Sequence, residues 1–123
     1  MARPVKLRQV CDLPRKDRFG PIGYEAEKDK YINMTVDEYE TIRLIDYENL
    51  TQEECAEQMD IARATVQRIY QEARMKIASA LVNGKILDIQ GGNYQLCSRE
   101  REFCIHRKCN KRNKVRCNKV EKE

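Results

Sequence analysis

The stretch from Leu50 to Ile69 constrains this chain most. Thr51 can cap a helix, and Glu54 three residues later completes a capping box. Cys55, Ala56 and Met59 then form an apolar stripe, and Asp60-Ile61-Ala62 interrupts it. A second helical period runs through Val66, Ile69, Tyr70, Ala73, Ile77, Ala80 and Leu81. Two helices joined by a turn of three to four residues form the frame of a helix-turn-helix. Ala56 is small where the helices must cross, and Ile61 and Val66 are placed to fill the angle between them. A plain antiparallel helical hairpin with a solvated polar face shares this pattern.

The outward face of the second helix carries Arg63, Thr65, Gln67, Arg68, Gln71 and Arg74. In a major groove, Arg pairs with guanine and Gln with adenine. The expected arrangement turns Arg63, Gln67, Arg68 and Gln71 toward base edges. Thr51, Gln52 and Thr65 hold phosphates, helped by the amino ends of both helices. One such helix reads few base pairs, so the expected partner is double-stranded DNA bound by a homodimer on paired half-sites.

Charge is unevenly spread. Residues 35–60 hold one Lys or Arg against nine acids, residues 61–85 five against one, and residues 97–123 ten against four. A basic reading helix beside an acidic segment suits a molecule that shows one face to a polyanion and another to solvent or a partner. Ordinary surface charge on a small domain is the plainer account.

Residues 1–34 are punctuated by Pro4, Pro14 and Pro21 and do not read as helix. Leu7 to Leu13 alternates well enough for one short strand. Phe19-Gly20-Pro21-Ile22-Gly23 is expected to be a fixed turn whose Phe and Ile plug into the domain. Arg3, Lys6 and Arg8 are placed to form a basic arm on DNA, or simply a basic end in solvent. A first helix over 35–47 starts from Thr35 and Glu38, a second capping box, with Val36, Tyr39, Ile42, Leu44 and Ile45 on its apolar side. Arg43 among them should be partly covered and paired with an acid from a neighbouring helix. The third helix spans about 63–82 and stops at Asn83-Gly84, although Ala62 is a poor N-cap. Lys85 to Gln90 reads as a strand, and the strand near 7–12 is its natural partner.

These elements predict a mainly α fold: a three-helix helix-turn-helix core, a small two-stranded β element and a Cys-rich C-terminal tail. The chain divides into a basic N-terminal arm and strand over 1–34, a helix-turn-helix domain over 35–95, and a Cys/His-containing basic tail over 96–123. The tail is too polar to build a core without a ligand. Cys97, Cys104, Cys109 and Cys117 fall within it, with the sole histidine, His106, as an alternative ligand. Four soft ligands satisfy a structural zinc, and zinc binding would fold such a tail. Free thiols on a basic tail, an iron–sulfur cluster and redox sensing fit the same residues. Cys55 reads as a small core residue. Cys11 should pack inward, and a contribution from it to the metal site is an alternative.

Several separated motifs together resemble one family. They are the opening Met-Ala-Arg-Pro, Phe19 to Gly23, Thr35 to Glu40, Arg43 to Asp46, Leu50 to Glu54, Ala56 to Met59, Ala80 to Lys85, and Gly91 to Tyr94. The chain is similar, over roughly residues 1–95, to the prokaryotic domain-of-unknown-function family one-three-four. The resemblance implies DNA binding through a helix-turn-helix like that of sigma factor region four. Three positions depart from the family pattern: Asp60 replaces the usual turn glycine, and Ala62 and Ala64 replace the usual Ser and Gln. Asp tolerates the left-handed geometry such a turn needs. The loss of Gln at Ala64 alters the base preference that the resemblance implies.

No apolar run approaches the ~18 residues of a membrane span, and the N-terminus lacks a signal-peptide core. A cytoplasmic chain with reduced cysteines is therefore expected. No Ser/His/Asp set, phosphate-cradling Gly loop or converging carboxylate pair is visible, so no enzyme is expected. The leading expectation is a sequence-specific DNA-binding transcriptional regulator. A protein-interaction adaptor and a metal or redox sensor acting through the tail are the alternatives.

Overall fold

A computed structural model describes residues 7–23 and 30–97. Its strands are β1 (Arg8–Val10), β2 (Arg18–Phe19), β3 (Tyr31–Met34), β4 (Ile86–Ile89) and β5 (Tyr94–Leu96). Its helices are α1 (Val36–Thr41), α2 (Gln52–Met59) and α3 (Arg63–Asn83). The fold is mainly helical with two small sheets.

Each helix boundary follows from local chemistry. Thr35 and Thr51 close reciprocal capping boxes with Glu38 and Glu54, which satisfies donors that a helix start leaves open. From Ile42 to Tyr47 α1 continues in wider π-helical turns; the Glu48 N–H reaches back five residues to the Arg43 carbonyl at 2.8 Å. The change of pitch coincides with a change of packing partner, because Ile42 and Leu44 join different cores. Asp60 ends α2 in the left-handed region, with φ 60° and ψ 47°, so this acid does take the geometry expected of a turn glycine. Ala62 provides no side-chain cap, and Gly84 stops α3 with φ 66°.

Two apolar cores result. One lies between α2, α3 and the π-helical end of α1, with Leu44, Leu50, Cys55, Ala56, Met59 and Val66, and Ile61 packs against it. Ala56 and Cys55 are both buried in this core. The other core joins β1, β3, β4 and α3 to α1 through Val10, Met34, Val36, Ala73 and Ile89.

The strand pairing departs from expectation. β4 pairs not with β1 but with β3 in parallel and β2 antiparallel, giving the order β2-β4-β3. β1 pairs in parallel with β5. There are thus two sheets where a single two-stranded element is expected. The reason is tertiary: α3 separates β3 from β4 in sequence, and such a crossover permits parallel pairing that no local turn signal announces. Gly91-Gly92 carries the chain from β4 to β5 past the start of α1. A side chain at Gly92 would strike Asp37 Oδ1 at 2.5 Å and Thr35 Cβ at 2.7 Å, and its φ is +106°. Only glycine fits there.

Four side-chain placements also depart. Phe19 and Ile22 do not plug into the domain: Phe19 is half-exposed and Ile22 fully exposed. Leu81 lies on the open side of α3, 81% exposed. Arg8 is no arm residue, because it is buried and pairs with buried Asp37 at 3.6 Å. Arg3 and Lys6 lie outside the described residues.

Candidate nucleic-acid interface

α3 is set against the body of the molecule by Val66, Ile69, Ala73 and Ala80, all buried. The helical period therefore turns Gln67, Arg68, Gln71 and Met75 outward, and all four are exposed. An open groove of about 460 Å³ runs along this face. It is lined by Gln52 of α2 and by Gln67, Tyr70, Gln71, Arg74, Met75 and Ala78 of α3. Three of the residues singled out from sequence, Gln52, Gln67 and Gln71, thus share one concave surface. Among the described residues, none of the three makes a side-chain hydrogen bond.

The other predicted residues do not line that groove. Arg63 and Arg68 are exposed and Thr65 is half-buried. Thr51 is exposed at the start of α2. Its hydroxyl oxygen accepts the Glu54 N–H at 3.0 Å, which leaves the hydroxyl proton to donate to a phosphate oxygen. Glu53 in the same first turn puts a negative charge beside that position and weakens it as a phosphate site.

Tyr70, which the sequence places on the apolar stripe, and Arg74, which it places on the outward face without a contact of its own, shape the groove's wall. The Tyr70 hydroxyl donates to Asp46 Oδ1 at 2.8 Å, and the Arg74 guanidinium lies 5.4 Å from the Tyr70 ring centre. Burial, then the bond to Asp46, pushes the Tyr70 phenol up from its ordinary pKa. Asp46 thus holds Tyr70, and Tyr70 carries Arg74 toward the groove. The available signal was the i,i+4 spacing of an aromatic and a cation; Tyr70 also fits the apolar stripe, which masks its second role.

The domain also holds a buried charge network. Glu40 is fully buried. It accepts a fork from Arg43 at 3.0 and 2.8 Å and the Cys11 N–H at 3.2 Å. Arg43 also reaches Glu48 at 3.3 Å. Its partners come from its own helix and the following turn, not from a neighbouring helix. Burial disfavours the Arg43 charge, but the fork to Glu40 more than offsets this and raises its pKa. The Cys55 thiol, pushed up to about 12 by burial and then by the Glu40 charge, stays protonated. It suits packing, not metal ligation.

Of the expected metal ligands only Cys97 is described, and it is buried. Cys104, His106, Cys109 and Cys117 lie outside the described residues. Among the described residues no three His, Cys, Asp or Glu side chains converge as a metal site, and no helix is long and apolar enough to cross a membrane.

Comparison with known proteins places this architecture in a lineage. The model of the family described as "Protein of unknown function DUF134" matches residues 1–97. A UPF0251 protein of Desulfitobacterium hafniense (strain Y51) is 61% identical over 97 residues, spanning 79% of this chain and 78% of that one. A UPF0251 protein of Halothermothrix orenii is 45% identical over 111 residues, spanning 90% and 78%. Another, from Thermoanaerobacter pseudethanolicus, is 47% identical over 96 residues, spanning 78% and 81%. No solved structure matches. By its sequence over most of its length, the chain belongs to the DUF134 family.

Proposed function

We propose that the protein is a sequence-specific DNA-binding transcriptional regulator with α3 as its recognition helix. One observation carries this reading: Gln52, Gln67 and Gln71 line a single groove on the outer face of a helix-turn-helix, with Arg74 in its wall and the exposed Arg63 and Arg68 on the same helix. Glutamine reads adenine bidentately and arginine reads guanine. Three amides and one guanidinium lining a groove suit a base edge between two phosphate backbones. Gln67 and Gln71 stand one turn apart, so they face neighbouring base pairs. Thr51 and Thr65 then act at the phosphates.

The regulator acts as a cytoplasmic homodimer, because one such helix specifies only a short half-site. It has no catalytic role. Its tail holds zinc through Cys97, Cys104, Cys109 and Cys117, with His106 as the alternative ligand. The exposed apolar side chains Phe19, Ile22, Leu81 and Val82 favour a second reading, a protein-docking adaptor.

Fluorescence anisotropy on a random duplex library, across a salt series, tests the proposal. The expected result is enrichment of one sequence, with a log–log salt slope of about 0.9 per phosphate contacted. Absence of binding at ~50 mM salt, where even non-specific contacts register, refutes DNA recognition and favours the adaptor.

A further inference from the structure

The C-terminal third of α3 carries a surface that the candidate nucleic-acid interface does not use. An apolar groove of about 420 Å³ lies between it and strands β2 and β4. Phe19, Pro21, Ile77, Leu81 and Leu87 form most of its lining, and Lys85 is its one charged liner among the described residues. Leu81 and Val82 are exposed on α3, and Ile22, next in sequence to Pro21, is fully exposed. Scattered singly, such side chains need no explanation; gathered around one groove they mark an interaction site. The turn that carries Ile22 is held in place. Pro21 fixes its own φ, and Gly20 lies so close to β4 that a Cβ there would meet Ile86 Cγ1 at 2.6 Å. Ile22 is a presented knob beside a groove.

We propose that a second copy of this chain docks here, with Ile22 of each copy entering the groove of the other. This deepens the homodimer reading, on which it rests, by assigning its contact surface. Area, charge and symmetry point to a second copy. Phe19, Ile22, Leu81 and Val82 expose on the order of 400 Å² of apolar side chain. That is half of the ~800 Å² that each partner of a specific complex buries, and the groove walls add to it. Residues 19–23 and 77–84 contain no Lys, Arg, Asp or Glu, and Arg18 at the rim is paired with Asp88 at 3.4 Å. Two identical surfaces set identical charges face to face, so self-association favours a neutral one. A strongly charged partner would meet nothing complementary. A two-fold contact is reciprocal, and one knob beside one groove satisfies it twice.

The placement along α3 suits the proposed reading helix. By the helical period, Ile77, Ala80, Leu81 and Gly84 point roughly a quarter-turn around α3 from Gln67, Gln71, Arg74 and Ala78. A dimer formed here leaves the reading groove open. Leu81 stands about 15 Å along the helix from Gln71 and about 21 Å from Gln67. A two-fold axis through the patch then sets the two reading segments on the order of 30–40 Å apart, and half-sites one turn of DNA apart are separated by ~34–36 Å.

Sedimentation equilibrium of the full chain, over a concentration series, tests this. Wild type should run as a reversible dimer. Ile22→Asp and Leu81→Arg should each weaken dimerisation by at least about thirtyfold, with circular dichroism unchanged. Tyr47→Asp, at a side chain 76% exposed on the π-helical segment, should leave the dimer at wild-type strength. Mixing the two patch variants should restore a heterodimer, because one of its two contacts is then wild type and the other sets opposite charges together. A dimer that survives both patch variants overturns the proposal and leaves the homodimer reading with a different contact. Patch variants that dissociate but do not re-pair on mixing overturn the reciprocal docking. A wild type that stays monomeric at every concentration overturns both the proposal and the homodimer reading, and leaves the patch to a different protein.

Discussion

The polar residues of α1 and those of the outer face of α3 are treated in opposite ways. On α1 and its π-helical extension they close on partners: Glu40 on Arg43, Glu38 on Lys76 at 2.8 Å, and Asp37 on Arg8. On α3, Gln67, Arg68 and Gln71 are exposed, and among the described residues they have no side-chain partner. The first group joins three segments of the chain. A buried charge costs several kcal/mol unless it is paired, so those pairs belong to the folded state itself. The second group costs nothing to leave in water and remains available for a ligand. Sequence composition alone makes the two look alike, since both are polar residues alternating with apolar ones on a helix.

The largest expected effect breaks the paired side. Arg43→Ala leaves Glu40 buried without its fork and should cost about 3–5 kcal/mol of stability, read by urea denaturation. A loss below ~1 kcal/mol would mean that the network tolerates an open carboxylate. On the other side, Gln67→Ala and Gln71→Ala should each weaken the preferred duplex by about 1–3 kcal/mol and relax specificity at one position. Their melting temperatures should stay near wild type. Arg68→Ala should behave similarly. Equal losses on preferred and random duplexes would remove these residues from base recognition.

Alkaline pH offers a milder test. Folding raises the Cys55 pKa to about 12, so the thiol ionises more readily in the unfolded chain. Its contribution to stability is complete below the unfolded value near 9 and is lost as pH rises toward 12. Cys55→Ala should flatten the decline measured between those values; an unchanged slope would assign the decline to other groups. The smallest effect belongs to the hinge between the two sides. Tyr70→Phe deletes the bond to Asp46 and should cost no more than about 1 kcal/mol of stability. It should still weaken DNA binding, by loosening Arg74. Unchanged binding would leave Arg74 outside the interface.

Local signals carried the helices. Two capping boxes, the Asn83-Gly84 stop and a 3.6-residue apolar period mark α1, α2 and α3 to within a few residues. Ala56, Ile61 and Val66 show the crossing through size and spacing alone. Gln67 and Gln71 of the candidate groove were equally legible, because outward-facing glutamines on a second helix repeat with the helix. Tyr70 and Arg74 were harder to place, because their role depends on Asp46, which reaches them from another element.

What the sequence by itself determined is everything that rests on contacts a few residues long: where helices start and stop, which face of each is apolar, and the left-handed turn at Asp60. Only the tertiary structure decided which strands pair, that Phe19, Ile22 and Leu81 face outward, and that Arg8 is buried on Asp37. The physical reason is range. Capping and periodicity are properties of one turn of backbone, whereas strand partners and buried ion pairs depend on the packing of segments that α3 and its neighbours hold far apart in sequence.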